Sequence, residues 1–380
     1  MKLTFEPLGN YVRLVDERNK DLAAETVLGI NIDKYFMPSV ANVIGTDLGN
    51  YKLLRKGRFA CNPMHVGRDG RLPVARYTEE APAIVSPAYF MFEVIDENEI
   101  DPEYLMLCFR RPDFDRMCWF RTDASVRSGI SWEDVCALVI PVPPIAEQRK
   151  IVRDYQIIRD RINLLNSINQ NLDLQMQSIY GDMFLSDESV IEKTVSLSEM
   201  CLDIQRGFTP IYDDKGTYFD LNQKVNKGIY LDKKHFALIS GDANIPNDKF
   251  AKKKDVLINY LGDGTLGRVH YYNEETSNVV VNQFIIIIRT NPSMLIPAYL
   301  YSVLSSPRYQ QIILSSVSGS TGMLVLNIST IRDFKIPIPS FDLQKQFEKT
   351  VSPLWNSITT NYSEISVLER LGEEIVTGLR

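Results

Sequence analysis

The most regular hydrophobic pattern of the chain lies between residues 151 and 179. Apolar positions recur there alternately four and three residues apart, which is the heptad spacing of a helix that pairs with another helix. A globular helix face has a different spacing, so the pattern predicts a partner helix. The positions of this first seam are Ile151, Tyr155, Ile158, Ile162, Leu165, Asn169, Leu172, Met176 and Ile179.

A second seam with the same spacing, in the same register, supplies that partner 196 residues later. Each seam follows a similar proline-rich segment, IPVPPIAEQRKIV at 140–152 and IPIPSFDLQKQF at 336–347. The second seam consists of Phe347, Val351, Leu354, Ile358, Asn361, Ile365, Leu368, Gly372, Ile375 and Leu379.

The residues before the first seam predict short strands separated by Gly, Pro and Asn turns. The clearest helix is Asp101 to Phe109, with Pro102 at its first position and Asp101 as its cap. The predicted strands are Tyr11 to Val15, Arg58 to Cys61, Ala83 to Val85 and Tyr89 to Ile95.

Three pairs of segments repeat in one order, 195 to about 197 residues apart. IPAYLYSVL (296–304) matches the helix after Asp101, and DVLINYLGDGTLGRV (255–269) matches RFACNPMHVGRDGRL (58–72). The third pair is SVRSGISWEDVCALVIPVPP with STGMLVLNISTIRDFKIPIPS. In its first member Ser131 and Asp134 form a capping pattern, and Asn327 takes the corresponding place. The repeat predicts the order domain, helix, domain, helix.

Length and composition are compatible with this organisation. The chain has 380 residues, 44% apolar and 24% charged, which is enough for two cores. No apolar run reaches the roughly 18 residues of a membrane span, and the start lacks a signal-peptide pattern, so we expect a cytoplasmic protein without a membrane partner. Five cysteines without a CxxC pair predict buried thiols and neither disulfides nor a zinc site.

Charge is distributed unevenly. The net charge of -6 argues against a nucleic-acid partner, because phosphates require clustered Lys and Arg. However, residues 51–76 hold seven basic residues and one acidic residue, and residues 249–254 hold four lysines. These runs are either solvated faces or patches that bind nucleic acid.

The motifs that could carry chemistry lack the necessary context. GDGTLG (262–267) satisfies GxGxxG, but strand-like RVHYY follows it where a cofactor site requires a helix, so a turn between two strands is predicted. Asn62 and Pro63 resemble part of the Asn-Pro-Pro motif of amino methyltransferases, but no cofactor motif accompanies them, and we expect them to shape a turn. The three histidines are isolated. The sequence therefore indicates a non-catalytic protein.

Two polar turns occupy equivalent places before the short capped helices. SVRSG contains Ser125, Arg127 and Ser128, and SGSTG contains Ser320 and Thr321. Hydroxyl groups and free backbone N–H groups suit phosphate or base-edge contacts, and an arginine can reach guanine with two hydrogen bonds. The alternative is an ordinary surface loop.

The proline-rich segments, the heptad helices and the LSEMCLDIQRGFTP segment together resemble the specificity (S) subunits of type I restriction-modification enzymes, over the whole chain. The resemblance implies an α+β fold with two similar mixed target recognition domains and an antiparallel coiled coil. It also implies a non-catalytic, DNA sequence-specificity subunit for phage defence. Its partners would be double-stranded DNA, two methyltransferase (M) subunits and, through them, restriction (R) subunits. The cofactor S-adenosylmethionine would be bound by the M subunits and not by this chain.

The predicted domains are 1–143 and 184–339, with helical spacers at 144–183 and 340–380. In an antiparallel pair we expect Asn169 and Asn361 to share one layer, because a buried amide facing leucine would lose a hydrogen bond, at about 1 to 3 kcal/mol. This register places Ile158 on Gly372. The seam from Ile151 to Ile179 would measure about 42 Å, close to one DNA turn, so we expect two half-targets about one turn apart.

The resemblance and the basic runs together give the predicted site residues. The DNA contacts would be Lys52, Arg68, Arg71, Arg76, Ser125, Arg127, Ser128, Arg206, Thr209, Lys254, Arg268, Ser320 and Thr321. The partner contacts would be Glu147, Gln148 and Gln344; Ser340 and Leu343 depart from the first segment at Pro144 and Glu147. The alternative function is a coiled-coil adaptor that scaffolds other proteins without reading DNA.

Overall fold

The computed structural model of the chain describes residues 4–39, 45–64, 66–122, 129–262, 264–318 and 324–379. Contacts divide the chain into two compact units, Met1–Arg161 with Leu368–Arg380, and Ile162–Val367. Each unit contains one globular domain, called the first and the second domain below, and a part of each of two long helices. Within the described ranges, no helix is long and apolar enough to cross a membrane.

The first unit contains ten strands and four short helices among its described residues. Its strands are β1 Phe5–Pro7, β2 Val12–Leu14, β3 Val27–Ile30, β4 Phe36–Pro38, β5 Lys52–Leu54, β6 Phe59–Cys61, β7 Val74–Arg76, β8 Ala83–Val85, β9 Phe90–Val94 and β10 Val139–Pro141. Its short helices are α1 Val66–Asp69, α2 Pro102–Phe109, α3 Pro112–Phe120 and α4 Trp132–Cys136. The sheets have the orders β1-β10, β2-β9-β6-β7 and β4-β3-β8-β5, and only β3 and β8 pair in parallel.

The second unit repeats this plan. Its strands are β11 Ile191–Ser196, β12 Cys201–Arg206, β13 Tyr218–Leu221, β14 Ala237–Ile239, β15 Val256–Asn259, β16 Val269–Tyr271, β17 Val279–Val281, β18 Ile285–Thr290 and β19 Lys335–Pro339. Its short helices are α6 Pro297–Ser305, α7 Pro307–Ser315 and α8 Ile328–Asp333. The sheets have the orders β11-β19, β12-β18-β15-β16 and β14-β13-β17, with β13 and β17 parallel. Each sheet has a counterpart in the first unit, although the described residues of the second unit contain no equivalent of β5, and this correspondence confirms the internal repeat.

Local signals in the sequence account for the short helices. The Asp101 carboxylate accepts hydrogen bonds from the backbone N–H groups of Glu103 and Tyr104, as an N-cap does. The Ser131 hydroxyl accepts from the backbone N–H of Asp134 at the start of α4, as predicted. Asn327 stands at the N-cap of α8, but its side chain donates to the Ser318 hydroxyl and does not cap the helix.

The two long helices are α5, Ile145–Phe184, and α9, Phe341–Thr377. In the second unit they run antiparallel, because Asn361 Nδ2 donates to Asn169 Oδ1 at 2.7 Å while the Phe184 ring packs against the Phe347 ring. In the first unit Gly372 lies against Tyr155 and Ile158, 3.6 and 3.9 Å from where its Cβ would be. The predicted asparagine layer and the pairing of Ile158 with Gly372 are both confirmed.

All the predicted seam residues are buried or half-buried in their own units. Their burial follows from the heptad spacing, since the a and d positions of one helix face the other helix. The Ser340 hydroxyl accepts from the backbone N–H of Leu343 and caps α9, as expected where serine replaces proline. All five cysteines are free thiols, of which Cys61, Cys108 and Cys118 are buried.

Candidate nucleic-acid interface

One edge of the four-stranded sheet in the second domain gathers several loops. Because β12 and β15 both run antiparallel to β18, these two strands end where β18 begins. Strand β16 runs antiparallel to β15 and therefore begins at the same edge. The described residues at these strand ends form the loop edge of the second domain: Arg206, Thr209, Tyr260, Arg268 and the turn made by Gly262 and residues 264–267, called the turn 262–267 below.

Arg206 is an exposed cation that is held in place at this edge. Its guanidinium lies 4.6 Å from the centre of the buried Tyr260 ring. A cation over an aromatic face is attracted by the ring electrons, and this contact leaves the guanidinium N–H groups available to other acceptors. Arg206 is therefore positioned to donate hydrogen bonds to an anion at the loop edge.

The segment after Arg206 is packed tightly onto the strand β17 and the residues after it. Any side chain at Gly207 would collide with the carbonyl oxygens of Val281 and Asn282, so this position requires glycine. The Thr209 hydroxyl donates to Gln283 Oε1 at 2.8 Å. The close approach fixes the exposed Thr209 next to Arg206 at the loop edge.

The GDGTLG segment is a turn between β15 and β16, as predicted, and not a cofactor loop. Gly264 and Gly267 have φ angles of +65° and +82°, which favour glycine. Arg268 Nη2 donates to the Gly264 carbonyl at 2.9 Å, and Nη1 donates to the Asn226 carbonyl at 3.4 Å. Arg268 thus lies at the loop edge, where it uses part of its hydrogen-bonding capacity to hold the turn.

The two flanks of the polar segment before α8 lie at the same edge. Ser318 and Leu261 both form β-bridges with Val325, and the Leu326 N–H donates to the Tyr260 carbonyl at 2.9 Å. The predicted contacts Ser320 and Thr321 lie outside the described residues, between these anchored flanks.

The first domain has an equivalent edge at the end of β6. The Asn62 side chain accepts from the Met64 N–H and shapes the turn, as predicted. The Ile130 N–H donates to the Pro63 carbonyl at 3.2 Å, which matches the bond between Leu326 and Tyr260. The predicted contacts Ser125, Arg127 and Ser128 lie outside the described residues, immediately before Gly129. We call this region the loop edge of the first domain; it comprises Asn62–Met64, α1 and residues 70–73.

Two of the predicted cations of the first domain lie at its loop edge. Arg68 on α1 and Arg71 after it have side chains that are 57% and 53% exposed, so both can reach a partner. Each already pairs with a carboxylate, Arg68 with Asp69 and Arg71 with Asp33. Such exposed pairs are weak, at about 0 to 1 kcal/mol, and can be exchanged for phosphate contacts.

Three predicted DNA contacts are not exposed at either loop edge. Lys52 is buried, and its Nζ donates to the Tyr89 carbonyl at 2.8 Å, so the prediction that it contacts DNA is wrong. Arg76 and Lys254 lie at or before the opposite strand ends, where they pair with Glu103 and Glu348. The basic runs in the sequence are thus divided between different surfaces, because a strand places its two ends at opposite edges of a sheet.

The prediction that Gln148 and Gln344 contact a partner is wrong, since both side chains are fully buried. Gln148 accepts from the Asp101 N–H at 2.9 Å and donates to the Glu99 and Pro143 carbonyls. Gln344 accepts from the Ile296 N–H at 3.0 Å and donates to the Met294 and Pro339 carbonyls. Each glutamine ties a long helix to its domain. Glu147 is half-exposed and stays a predicted partner contact.

Sequence reasoning missed Tyr260 and Gln283, which hold the predicted residues Arg206 and Thr209. Tyr260 lies within segment 255–269, which the repeat had already aligned, so the repeat could have found it, whereas Gln283 lies in no aligned segment. Among the described residues, no group of His, Cys, Asp and Glu side chains could hold a metal ion.

Comparison with known proteins adds the decisive observation. The family model for the type I restriction modification DNA specificity domain matches residues 192–370, which include the whole loop edge of the second domain. The chain therefore carries a type I restriction modification DNA specificity domain over these residues. It is a DNA sequence-specificity subunit and therefore a non-catalytic one.

One solved structure of a specificity subunit shares this fold. The S subunit of a type I restriction-modification system from M. genitalium is 16% identical, with a TM-score of 0.57 over 100% of this chain and 96% of that one. The HsdS subunit from Thermoanaerobacter tengcongensis is also 16% identical, with a TM-score of 0.37 over 99% of this chain and 96% of that one. A chain from a study of the assembly of a type I R-M system is 17% identical, with a TM-score of 0.45 over 100% and 98%.

Proposed function

We propose that this specificity subunit recognises a bipartite DNA target, with each half read by the loop edge of one domain. The observation that carries the proposal is the recurrence of one loop edge in both domains. In each domain a hydrogen bond anchors a polar segment to the turn after the central strand, at Ile130 and Pro63 in one and at Leu326 and Tyr260 in the other. Two copies of one recognition surface suit two half-targets.

The charges at these edges suit double-stranded DNA in spite of the net charge of -6. Arg206 and Thr209 in the second domain, and Arg68 and Arg71 in the first, are exposed donors. Arginine recognises both phosphate oxygens and guanine with two hydrogen bonds, and hydroxyl groups contact either. These residues would position the duplex, and the segments 123–128 and 319–323 would contribute base contacts.

The long helices have outward apolar positions that suit methyltransferase subunits. In the second unit Leu164, Ile168 and Val367 are 52%, 37% and 46% exposed, and in the first unit Ile157 and Leu371 are 67% and 43% exposed. Exposed apolar positions at helical spacing suit a further helix from a partner. Because the helix pair recurs in each unit, we propose two M subunits, which bind S-adenosylmethionine and recruit R subunits. We place the complex in the cytoplasm, with the cell's DNA.

A domain replacement tests whether each domain recognises one half of the target independently. Residues 185–336 would be replaced by the matching domain of a relative, and the chain would be expressed with its M subunits. Sequencing of methylated sites should then show a change in only one half of the target. A change in both halves together would show that the two domains do not read DNA independently.

A salt titration separates the proposal from a scaffold that does not bind DNA. The affinity of the complete complex for random duplex DNA should fall steeply with salt, because each neutralised phosphate releases counterions. A flat salt dependence, or equal binding by M subunits alone, would contradict a DNA-reading role for this chain.

A further inference from the structure

The loop of residues 222–232 connects helix α9 with the loop edge of the second domain. It contains a tight turn, closed by a hydrogen bond from the Lys227 N–H to the Tyr230 carbonyl at 3.0 Å. Gly228 has a φ of +91°, and its N–H donates to the Asn226 side chain at 2.8 Å. The turn is therefore rigid by its own bonds, and we call residues 222–232 the connecting loop.

The inner end of the connecting loop is bonded to the turn 262–267. Asn226 Nδ2 donates to Asn259 Oδ1 at 2.9 Å, and both side chains are fully buried. Asn259 Nδ2 in turn donates to the Thr265 carbonyl at 3.1 Å. Arg268 donates to carbonyls on both sides, at Asn226 and Gly264. A shift of the loop would therefore displace the turn, since buried polar groups must keep their partners.

The outer end of the connecting loop rests on helix α9. The Tyr230 ring stacks on the Tyr362 ring, with 4.3 Å between centroids and 13° between planes. Tyr362 follows Asn361, whose amide forms the polar layer with Asn169. Burial, with a contribution from Tyr230, raises the pKa of Tyr362 to about 12, so the Tyr362 ring stays uncharged at neutral pH.

We propose that Tyr230 is a positioning residue that sets the turn 262–267 against the helix pair. The path runs from the asparagine layer through Tyr362, Tyr230 and the paired amides to the loop edge. Selectivity for the second half-target would then depend on a ring that contacts no DNA. This inference rests on the proposed function of the second domain.

The test compares Tyr230→Ala with two controls in the full chain, assembled with its M subunits. Tyr230→Phe keeps the stacked ring. Asn273→Ala removes a different contact with α9, the hydrogen bonds of Asn273 Nδ2 to Asn356 and Thr359, and leaves the connecting loop intact. Methylation rates would be measured on duplexes with the correct target and with one altered base pair in either half, together with the melting temperature of each variant.

In Tyr230→Ala, we expect the ratio of methylation rates on the correct and the altered second half-target to fall about tenfold. The corresponding ratio for the first half-target should stay unchanged. Tyr230→Phe and Asn273→Ala should retain both preferences. If Tyr230→Ala fails to fold, Tyr230→Leu, which keeps an apolar contact without stacking, replaces it in the same comparison. Wild-type selectivity in the alanine or leucine variant, or an equal loss in Asn273→Ala, would overturn the inference. A wild-type complex without a bipartite preference would instead overturn the proposed function.

Discussion

The two domains of this specificity subunit hold their helices in the same way but differ at their loop edges. In both, a buried glutamine from the first turns of a long helix bonds the chain before α2 or α6. In both, a tyrosine of the following short helix donates a hydrogen bond to a proline carbonyl: Tyr104 of α2 to Pro141 and Tyr299 of α6 to Pro337. The contacts between each domain and its helices are therefore the repeated part of the molecule.

The loop edges differ in charge at equivalent strand positions. Where β12 ends at Arg206, the strand register of the first domain places Asp16, which pairs with Lys52 and Arg18. Arg268 comes directly before β16, and the equivalent position before β7 in the first domain is Pro73. The comparison shows that the repeat preserves the attachment to the helices and varies the loop edges.

The largest predicted effect concerns the repeated glutamines. Replacing Gln148 or Gln344 with leucine leaves one buried N–H and two carbonyls without partners, and each unpaired group costs about 1 to 3 kcal/mol. We expect each variant to lose about 3 kcal/mol in the free energy of unfolding, measured by denaturant titration. The control Gln346→Leu, on the exposed side of α9, should change the free energy of unfolding by less than about 0.5 kcal/mol. Unequal losses at Gln148 and Gln344 would break the equivalence of the two attachments.

The second prediction is that stability depends on pH through a histidine that only the second domain has at this position. Burial lowers the pKa of His270 from 6.5 to about 4, against the opposing effects of the hydrogen bond with the Gly228 carbonyl and the charge of Glu274, while Lys233 adds a smaller effect in the same direction as burial. The native state then binds fewer protons than the unfolded state between these values, so stability is complete above pH 6.5 and falls as the pH drops toward 4, by about 3 kcal/mol. The first domain has Ala75 at the equivalent position.

His270→Gln checks this effect, because glutamine can donate to the Gly228 carbonyl without titrating. Its stability should fall less steeply with acid than that of the wild-type protein, measured by denaturant titration at a series of pH values. Burial raises the pKa values of Asp220 and Asp255, so these two groups stabilise the protein as the pH falls, opposite to His270. Their effect is the same in the wild-type protein and in His270→Gln, and it therefore cancels when the two pH curves are subtracted. Parallel pH curves would contradict the assignment.

The third prediction sharpens the comparison of the helix layers. Asn169 Nδ2 has no hydrogen-bond partner in the described part of the chain, although its oxygen accepts from Asn361. Asn169→Leu alone should cost about 1 to 3 kcal/mol, because the Asn361 amide then faces an apolar group. The double leucine variant should be more stable than either single variant, as a double-mutant cycle would measure. A stable single variant would show that the amide pair does not hold the register.

The smallest effect tests the charge difference at the loop edges. Arg206→Ala should reduce the slope of log affinity against log salt by about 0.9 if its guanidinium contacts one phosphate. Arg206→Lys should restore the slope, and Asp16→Ala should leave it unchanged, since a carboxylate binds no phosphate. A slope that responds equally to both alanine variants would remove the functional difference between the two edges.

Much of the fold could be predicted from the sequence. The heptad seams, the asparagine layer, the Asp101 and Ser131 caps and the GDGTLG turn all depend on residues close in sequence or on strict spacing. Spacing of this kind predicts helix pairing directly, because one residue type in one register is buried. The cations of the loop edges were harder to predict, since Lys52, Arg76 and Lys254 also belong to the basic runs, but Lys52 is buried and the other two lie away from the loop edges.

The sequence by itself determined the repeat, the two helices and their register, because each rests on periodic apolar positions and local capping. Only the tertiary structure decided which polar residues are accessible. It buries Gln148 and Gln344, places Arg206 over Tyr260, and joins Tyr230 to Tyr362 across 132 residues of sequence. Such contacts depend on how sheets and helices pack, and a polar side chain shows no periodicity that distinguishes a buried hydrogen bond from an exposed one.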